Sequence, residues 1–227
     1  MSTGRPRILV IDDEPQIHRF LTPALRAAGF EPLRADQGVE GLRLIAAQAP
    51  DLVLLDLGLP DQDGQEVLRA LRHFSKVPVI ILSARDREAE KITALDWGAD
   101  DYIEKPFSLG ELMARIRTAL RHAGQTTPPE TLPQIGGLTL SQDRPELQLH
   151  GETIALTKRE HGLLLLLLRN QGRVLTHRQI LTALWGPAHT EDVAYLRVYI
   201  GQLRKKLGVE FAVHLKTEPG IGYRLEA

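Results

Sequence analysis

Ile8-Leu-Val-Ile-Asp-Asp13 sets the reading of the whole first half of the chain. Four apolar, mostly β-branched residues with no polar alternation mark a strand buried on both faces, and two carboxylates stand at its end. The pattern recurs downstream. Asp51-Leu-Val-Leu-Leu-Asp56 and Val77-Pro-Val-Ile-Ile-Leu82 are equally apolar, and a short strand is expected at 31–34 and another at 101–103. Between them the period changes. Ile17, Phe20, Leu21, Ala24, Leu25 and Ala28 share one helical face, stopped by Gly29, and helices are expected over 38–48, 86–97 and 109–122. Buried strands alternating with helices give an α/β doubly wound five-stranded parallel sheet with helices on both faces.

Ligands of such sheets sit beyond the C-terminal strand ends, and the chemically active residues fall there. Asp12 and Asp13 close the first strand, Asp56 the third and Ser83 the fourth, while Lys105 follows the fifth just before Pro106. Any one acid at a strand end is commonly a turn residue or a helix cap. Their joint occurrence at four strand ends asks for more. Three clustered carboxylates repel unless a cation is present, and a hard divalent ion such as Mg²⁺ suits oxygen ligands. A carboxylate beside Mg²⁺ and an ammonium is fitted to be the nucleophile in phosphoryl transfer.

The remainder of the chain has a different character. The 227 residues include no cysteine and no apolar run near the length of a membrane span, so disulfides, zinc fingers and thiol catalysis are excluded and a cytoplasmic protein is expected. The start of the chain reads as no signal peptide. A net charge of −1 speaks against nucleic acid only while the chain is taken whole. A stretch with three prolines and no apolar period, 122–134, reads as a linker. Cutting there leaves a domain over 1–121 with 16 basic and 19 acidic residues, net −3, and 122–227 with 12 and 10, net +2.

In the second domain, 135–227, strand-like runs occupy 138–140, 147–149 and 153–156. Thr157-Lys-Arg-Glu160 has the spacing of a capping box ahead of a leucine-rich core helix. A second helix starts at Thr176, a third runs from about 191 to 207 before Gly208, and a β-hairpin closes the chain over 214–225. On the third helix Leu196, Ile200, Leu203 and Leu207 form one stripe at about 100° per residue. Opposite lie Tyr195, Val198, Gln202 and Lys205, with Arg197 and Arg204 on one flank and Tyr199 and Lys206 on the other. A core stripe opposed by a basic, polar and aromatic face suits a DNA major groove, with Gln202 able to read adenine and Val198 a thymine methyl. A solvated charged helix would look similar if it stood alone.

The motifs Ile11-Asp-Asp-Glu14, Leu55-Asp-Leu-Gly-Leu-Pro60, Asp63-Gly64, Leu82-Ser-Ala84, Ala99-Asp-Asp-Tyr102 and Lys105-Pro-Phe107 resemble the receiver (CheY-like) domain of two-component response regulators over residues 5–121. Val174-Leu-Thr-His-Arg-Gln-Ile-Leu181, Leu184-Trp-Gly186, Leu196-Arg-Val-Tyr-Ile-Gly-Gln-Leu-Arg-Lys-Lys-Leu207 and Gly220-Ile-Gly-Tyr-Arg-Leu225 resemble the α+β winged helix-turn-helix domain of the OmpR/PhoB family. The resemblance implies that Asp56 is the phosphoacceptor. It implies that Asp12, Asp13, Asp56 and the Gly58 carbonyl hold Mg²⁺, that Lys105 contacts the phosphoryl group before a cis peptide at Pro106, and that Ser83 and Tyr102 are the switch pair, Tyr102 rotating inward. Asp12 stands where many members carry Glu, and either carboxylate serves a metal.

The resemblance further implies a sensor histidine kinase as phosphodonor, promoter DNA as target, RNA polymerase at the loop 186–190, and a homodimer on phosphorylation. Dimer pairs across the two-fold axis would be Lys91–Glu111, Asp96–Arg117 and Asp101–Arg115. The 191–207 helix would enter the major groove, with Thr217, Gly222, Tyr223 and Arg224 of the wing near phosphates or the minor groove. Several strings, among them Leu55-Asp-Leu-Gly-Leu-Pro-Asp61 and Tyr195-Leu-Arg-Val-Tyr-Ile-Gly201, resemble the branch of the family that controls high-affinity potassium uptake. Two other readings stand beside this one. A Mg²⁺-dependent phosphatase of the haloacid-dehalogenase type also uses an Asp nucleophile, although there it usually follows the first strand, and a receiver-bearing DNA-binding protein can act without phosphate.

Overall fold

In a computed structural model the chain divides into two compact units, Met1–Gly124 and Gln125–Ala227. The structure describes residues 5–84, 88–123, 135, 137–141 and 145–226, so most of the expected linker lies outside the described residues.

The first unit runs β1 (Arg7–Ile11), α1 (Pro15–Ala27), β2 (Glu31–Ala35), α2 (Gly38–Gln48), β3 (Leu52–Asp56), α3 (Gly64–Arg72), β4 (Val79–Ala84), α4 (Glu88–Asp96), β5 (Asp101–Lys105) and α5 (Leu109–Ala123). The five strands are parallel in the order β2-β1-β3-β4-β5. Alternate strand residues serve opposite faces. Ile8, Val10, Leu52, Leu54, Ile80, Leu82 and Ile103 pack with Leu21 and Leu25 of α1 and Leu112 and Ile116 of α5. Leu9, Ile11, Val53, Leu55 and Ile81 are equally buried on the other face, which is why these strands carry no polar alternation.

Three expectations need correction. The fourth strand begins at Val79 rather than Val77, because Pro78 has no N–H to pair and gives only its carbonyl, to Val53 N. It therefore runs on to Ala84, so Ser83 lies inside the strand, opposite Glu104, instead of beyond its end. The fifth strand likewise extends to Lys105. Finally, α3 was not anticipated, although Val67, Leu68 and Leu71 give it a buried face. Asp63 caps it, accepting from Gln65 N at 2.8 Å. Gly64 at its start packs directly on the Asp56 carbonyl and Leu57, where any β-carbon would collide with backbone.

The second unit holds β6 (Leu138–Leu140), β7 (Glu146–Leu149) and β8 (Glu152–Ala155) as one antiparallel sheet. Then come α6 (Lys158–Arg169), β9 (Val174–Thr176), α7 (His177–Trp185), a 3₁₀ turn at Pro187–His189, α8 (Val193–Ala212), β10 (Leu215–Glu218) and β11 (Gly222–Leu225). The expected capping box is complete, with Thr157 and Glu160 bonding each other's backbone N–H, and Thr176 and Gln179 form a second one on α7. Gly208 (φ 72°, ψ 173°) breaks α8, so the helical stretch ends at Leu207 as expected and one further turn follows. Leu196, Ile200, Leu203 and Leu207 are buried against the leucines of α6, Ile180 and Leu181. Strand β9 was not expected. It pairs with β11, giving the order β10-β11-β9 and making β11 a central strand.

Candidate functional site

The sheet register brings the first site together. Ile11 lies beside Leu55 and Asp56 beside Leu82, so the residues ending β1 and β3 share one level with Ser83 and Lys105. One carboxylate oxygen from each of Asp12, Asp13 and Asp56 falls within 4.8 Å of the others. Asp12 and Asp56 are buried, Asp13 is exposed, and Ser83 is buried. Lys105 Nζ stands among them, 2.9 Å from Asp12 Oδ2, 2.9 Å from Glu14 Oε1 and 3.3 Å from Asp56 Oδ2. The Lys105–Pro106 peptide is cis, as the resemblance implied. Gly58 lies in the exposed loop two residues past Asp56.

The electrostatics follow from this crowding. Burial raises the Asp12 carboxyl above the ordinary aspartate value, opposed by the hydrogen bond from Lys105 and that from Glu14 N. Burial pulls Lys105 down, but its bonds to Asp12 and Glu14 and the charge of Asp56 outweigh it, and the ammonium is held above its usual range. A hard cation fits this donor set: three convergent carboxylates offer only oxygen, and one of them opens to solvent for the waters that Mg²⁺ retains.

Two groups at the site were not anticipated. Glu14 was read only as part of an acidic run, yet it supplies one of the Lys105 partners. His18, buried on α1, donates from Nε2 to the Asp12 carbonyl at 2.6 Å and lies 3.3 Å from Asp36. The adjacency of Glu14 to the acid pair was a usable signal; nothing in the local sequence singles out His18.

The switch and dimer residues fall differently from expectation. Tyr102 is already inward, 7% exposed, with the Lys91 ammonium 5.5 Å from its ring centre. Lys91 is 1% exposed and bonds Glu104 at 2.7 Å, so it does not stand ready for Glu111 of another copy. Arg115 bridges Asp101 at 2.9 Å and Glu111 at 2.8 Å within the same chain, so the expected cross-axis Asp101–Arg115 pair is here an internal one. The cause is proximity: α5 packs along β5, and a half-buried guanidinium takes the nearest carboxylates. Burial lowers Arg115, and the charge of Asp101 with the Glu111 bond raises it further, leaving it above its ordinary value. Asp96 is half-buried and Arg117 exposed.

The second site is the outer face of α8. Tyr195 is 50% exposed and Val198 54%, while Arg197, Gln202 and Lys205 are also exposed. Tyr195, Val198, Gln202 and Lys205 share the face that the periodicity assigned them, and Arg197 lies exposed on its flank. Tyr199 is half-buried in an aromatic cluster, its hydroxyl 3.1 Å from that of Tyr195 and its ring 5.3 Å from Trp185. Arg204 donates to the Leu215 carbonyl at 2.6 Å and to Thr217 Oγ1 at 2.8 Å. Lys206 donates to Glu160 at 2.7 Å and to the Ala155 carbonyl at 3.0 Å.

The wing requires a correction. Gly222, Tyr223 and Arg224 were expected at the nucleic acid, and all three are buried. Arg224 is 2% exposed, bonding Glu218 at 2.8 Å. Burial raises the Tyr223 phenol, which bonds Arg197, and its ring meets His177 edge-on at 5.5 Å. Gly222 abuts the Leu175 carbonyl where no side chain fits. Strand β11 lies between β9 and β10, Tyr223 packs into the hydrophobic core of the unit, and Arg224 is held by Glu218 and the Gly172 carbonyl. Thr217 and Lys216 of the edge strand β10 remain exposed.

Among the described residues no helix is long and apolar enough to cross a membrane. The chain matches the response regulator receiver domain family over residues 8–117 and the C-terminal domain family of transcriptional regulatory proteins over 151–225. It is 48% identical to the KDP operon transcriptional regulatory protein KdpE of Escherichia coli, over 96% of this chain and 97% of the relative. It is 42% identical to the transcriptional regulatory protein KdpE of Mycobacterium tuberculosis H37Rv, over 97% and 99%. Among solved structures it resembles the Thermotoga maritima response regulator DrrB, an OmpR/PhoB homologue, with 27% identity, a TM-score of 0.51, and coverage of 98% of this chain and all of the other. With an acidic strand-end site on a receiver fold, a helix-turn-helix unit behind it, and relatives matched along nearly their full length, the chain belongs to the OmpR/PhoB family of two-component response regulators, DNA-binding regulators of transcription.

Proposed function

We propose that Asp56 accepts a phosphoryl group from a sensor histidine kinase and that this controls binding of the second unit to promoter DNA. The observation that carries the reading is the convergence of Asp12, Asp13 and Asp56 around Lys105 Nζ, 3.3 Å from Asp56 Oδ2. Asp12, Asp13, Asp56 and the Gly58 carbonyl would hold Mg²⁺, which when bound neutralises charge on the transferring phosphoryl oxygens. An Asp56 oxygen attacks phosphorus, the bond to the donor breaks, and Lys105 compensates the charge left on the acyl phosphate. Ser83, buried beside the site, would bond a new phosphoryl oxygen, and Tyr102 of β5 would relay the change to the α4–β5–α5 face.

On that face Asp96 would pair with Arg117 of a second copy. Arg115 and Lys91 would exchange internal partners for cross-chain ones, which makes dimerisation a rearrangement and not a simple docking. Two copies then present two α8 helices to adjacent half-sites, with Tyr195, Arg197, Val198, Gln202 and Lys205 toward the groove. The loop 186–190 is the proposed RNA polymerase contact. The likeness to the two KdpE proteins supports a promoter of a high-affinity potassium-uptake operon as the target, a kinase of the corresponding potassium-responsive system as donor, and a cytoplasmic location. Selection of genomic fragments by the protein, with and without a phosphodonor, tests this. Enrichment upstream of a potassium-transport operon is expected, stronger with the donor; enrichment elsewhere would remove the assignment. For the dimer face, Arg115→Glu should fail to dimerise on phosphorylation, and wild-type dimerisation by that variant would sink it.

A further inference from the structure

The basic residues of the α8 helix divide into two kinds. Arg197 and Lys205 are exposed, Arg197 with one bond to the Tyr223 phenol, whereas Arg204 and Lys206 are half-buried with their donors turned onto the protein. Arg204 is notable for what it holds. One guanidinium nitrogen, Nη2, lies 2.6 Å from the Leu215 carbonyl at the start of β10 and 2.8 Å from Thr217 Oγ1 two residues on. These bonds span 11 and 13 residues of chain, across the break at Gly208, from the helix to the exposed edge strand of the wing. Among the described residues strand β10 has only β11 as a sheet neighbour. A half-buried, always-charged donor at two points of that edge fixes the strand's distance and register against the helix.

We infer that Arg204 is a positioning residue that clamps the wing to the α8 helix, with Thr217 as its partner, and that it makes no phosphate contact of its own. The inference rests on the proposed DNA-reading role of the second unit. Helix and wing must meet a duplex at the same time, so a wing held in place before binding spares the ordering cost at that moment. Exposure alone separates the two kinds of basic residue here, since all of them lie on one helix and carry the same charge.

Counterion release tells a clamp from a contact. Each phosphate neutralised by a side chain adds about 0.9 to the magnitude of the slope of log K against log salt. The full-length protein, titrated with a mixed-sequence duplex over a range of salt, should lose a slope of about one in Lys205→Gln. Arg204→Gln should lose affinity about tenfold with its slope within error of wild type. Thr217→Val should behave likewise, and the two changes together should cost clearly less than their sum. Without DNA, the amides of residues 215–218 should exchange faster in both variants. A slope lowered by about one in Arg204→Gln, with wing exchange unchanged, would overturn the clamp and make Arg204 a phosphate contact. Additive effects of the two variants would overturn it as well. Failure of wild type to bind any duplex would instead remove the DNA reading on which the clamp rests. Should Arg204→Gln unfold, Thr217→Val alone carries the exchange and slope measurements.

Discussion

The acidic site at the strand ends and the α8 face use charge in opposite ways. In the first unit the charges converge: Asp12, Asp13, Asp56, Glu14 and Lys105 crowd one sheet edge, two of the acids buried. In the second they disperse along a helix, where Lys206 is bonded to Glu160 and both Arg204 and Arg197 bond the hairpin. A convergent site owes its properties to mutual electrostatics, so altering one member changes all the others. A dispersed face owes its properties to which members reach solvent, so its residues should act nearly one by one. The contrast can be broken from either side.

The largest effect is expected from Asp56→Asn. It removes the nucleophile, and labelling by acetyl phosphate with Mg²⁺ should vanish; retained labelling would place the phosphoacceptor elsewhere. Next comes Lys105→Ala. It leaves carboxylates without their ammonium and should cost about 3 kcal/mol of stability in metal-free buffer. Because the acids would then want a cation, added Mg²⁺ should stabilise this variant more than wild type in urea unfolding. Equal responses would mean the acids are not coupled through Lys105.

Lys206→Met should cost about 2 kcal/mol by leaving buried Glu160 without its ammonium. This prediction carries a pH signature. Burial raises Glu160, but the Lys206 bond and the Thr157 bonds together hold it below its ordinary value of 4.5. The folded chain thus binds that proton more weakly than the unfolded chain. The stabilisation is present in full above pH 4.5 and is lost as pH falls through the lower folded value. The gap between wild type and Lys206→Met in denaturant titrations should accordingly narrow below that pH; a constant gap would deny the pair its role. The smallest change is Arg117→Ala, an exposed residue whose loss should alter stability by under about 0.5 kcal/mol while weakening phosphorylation-dependent dimerisation. Unchanged dimerisation would remove Arg117 from that face.

Most of the receiver is legible along the chain. Strands buried on both faces advertise themselves as apolar runs, and the residue ending such a run must lie at a sheet edge, so Asp12, Asp56 and Lys105 could be grouped without a structure. Helix α3, with Val67, Leu68 and Leu71 on one face, is equally legible. The stripe of α8 was also readable, because one face of a helix follows from its period. Which polar groups look inward depends on contacts between distant segments. Three-residue β9 has no pattern of its own, yet it pairs with β11, whose Gly222, Tyr223 and Arg224 are buried. Lys91 and Arg115 are expected from the sequence to pair with Glu111 and Asp101 of a second copy, but within the chain they bond Glu104 and Asp101 of a neighbouring strand. Periodicity fixes the direction of a side chain from its own backbone, while its partner depends on what folding brings opposite, and that is settled by pairing between distant segments.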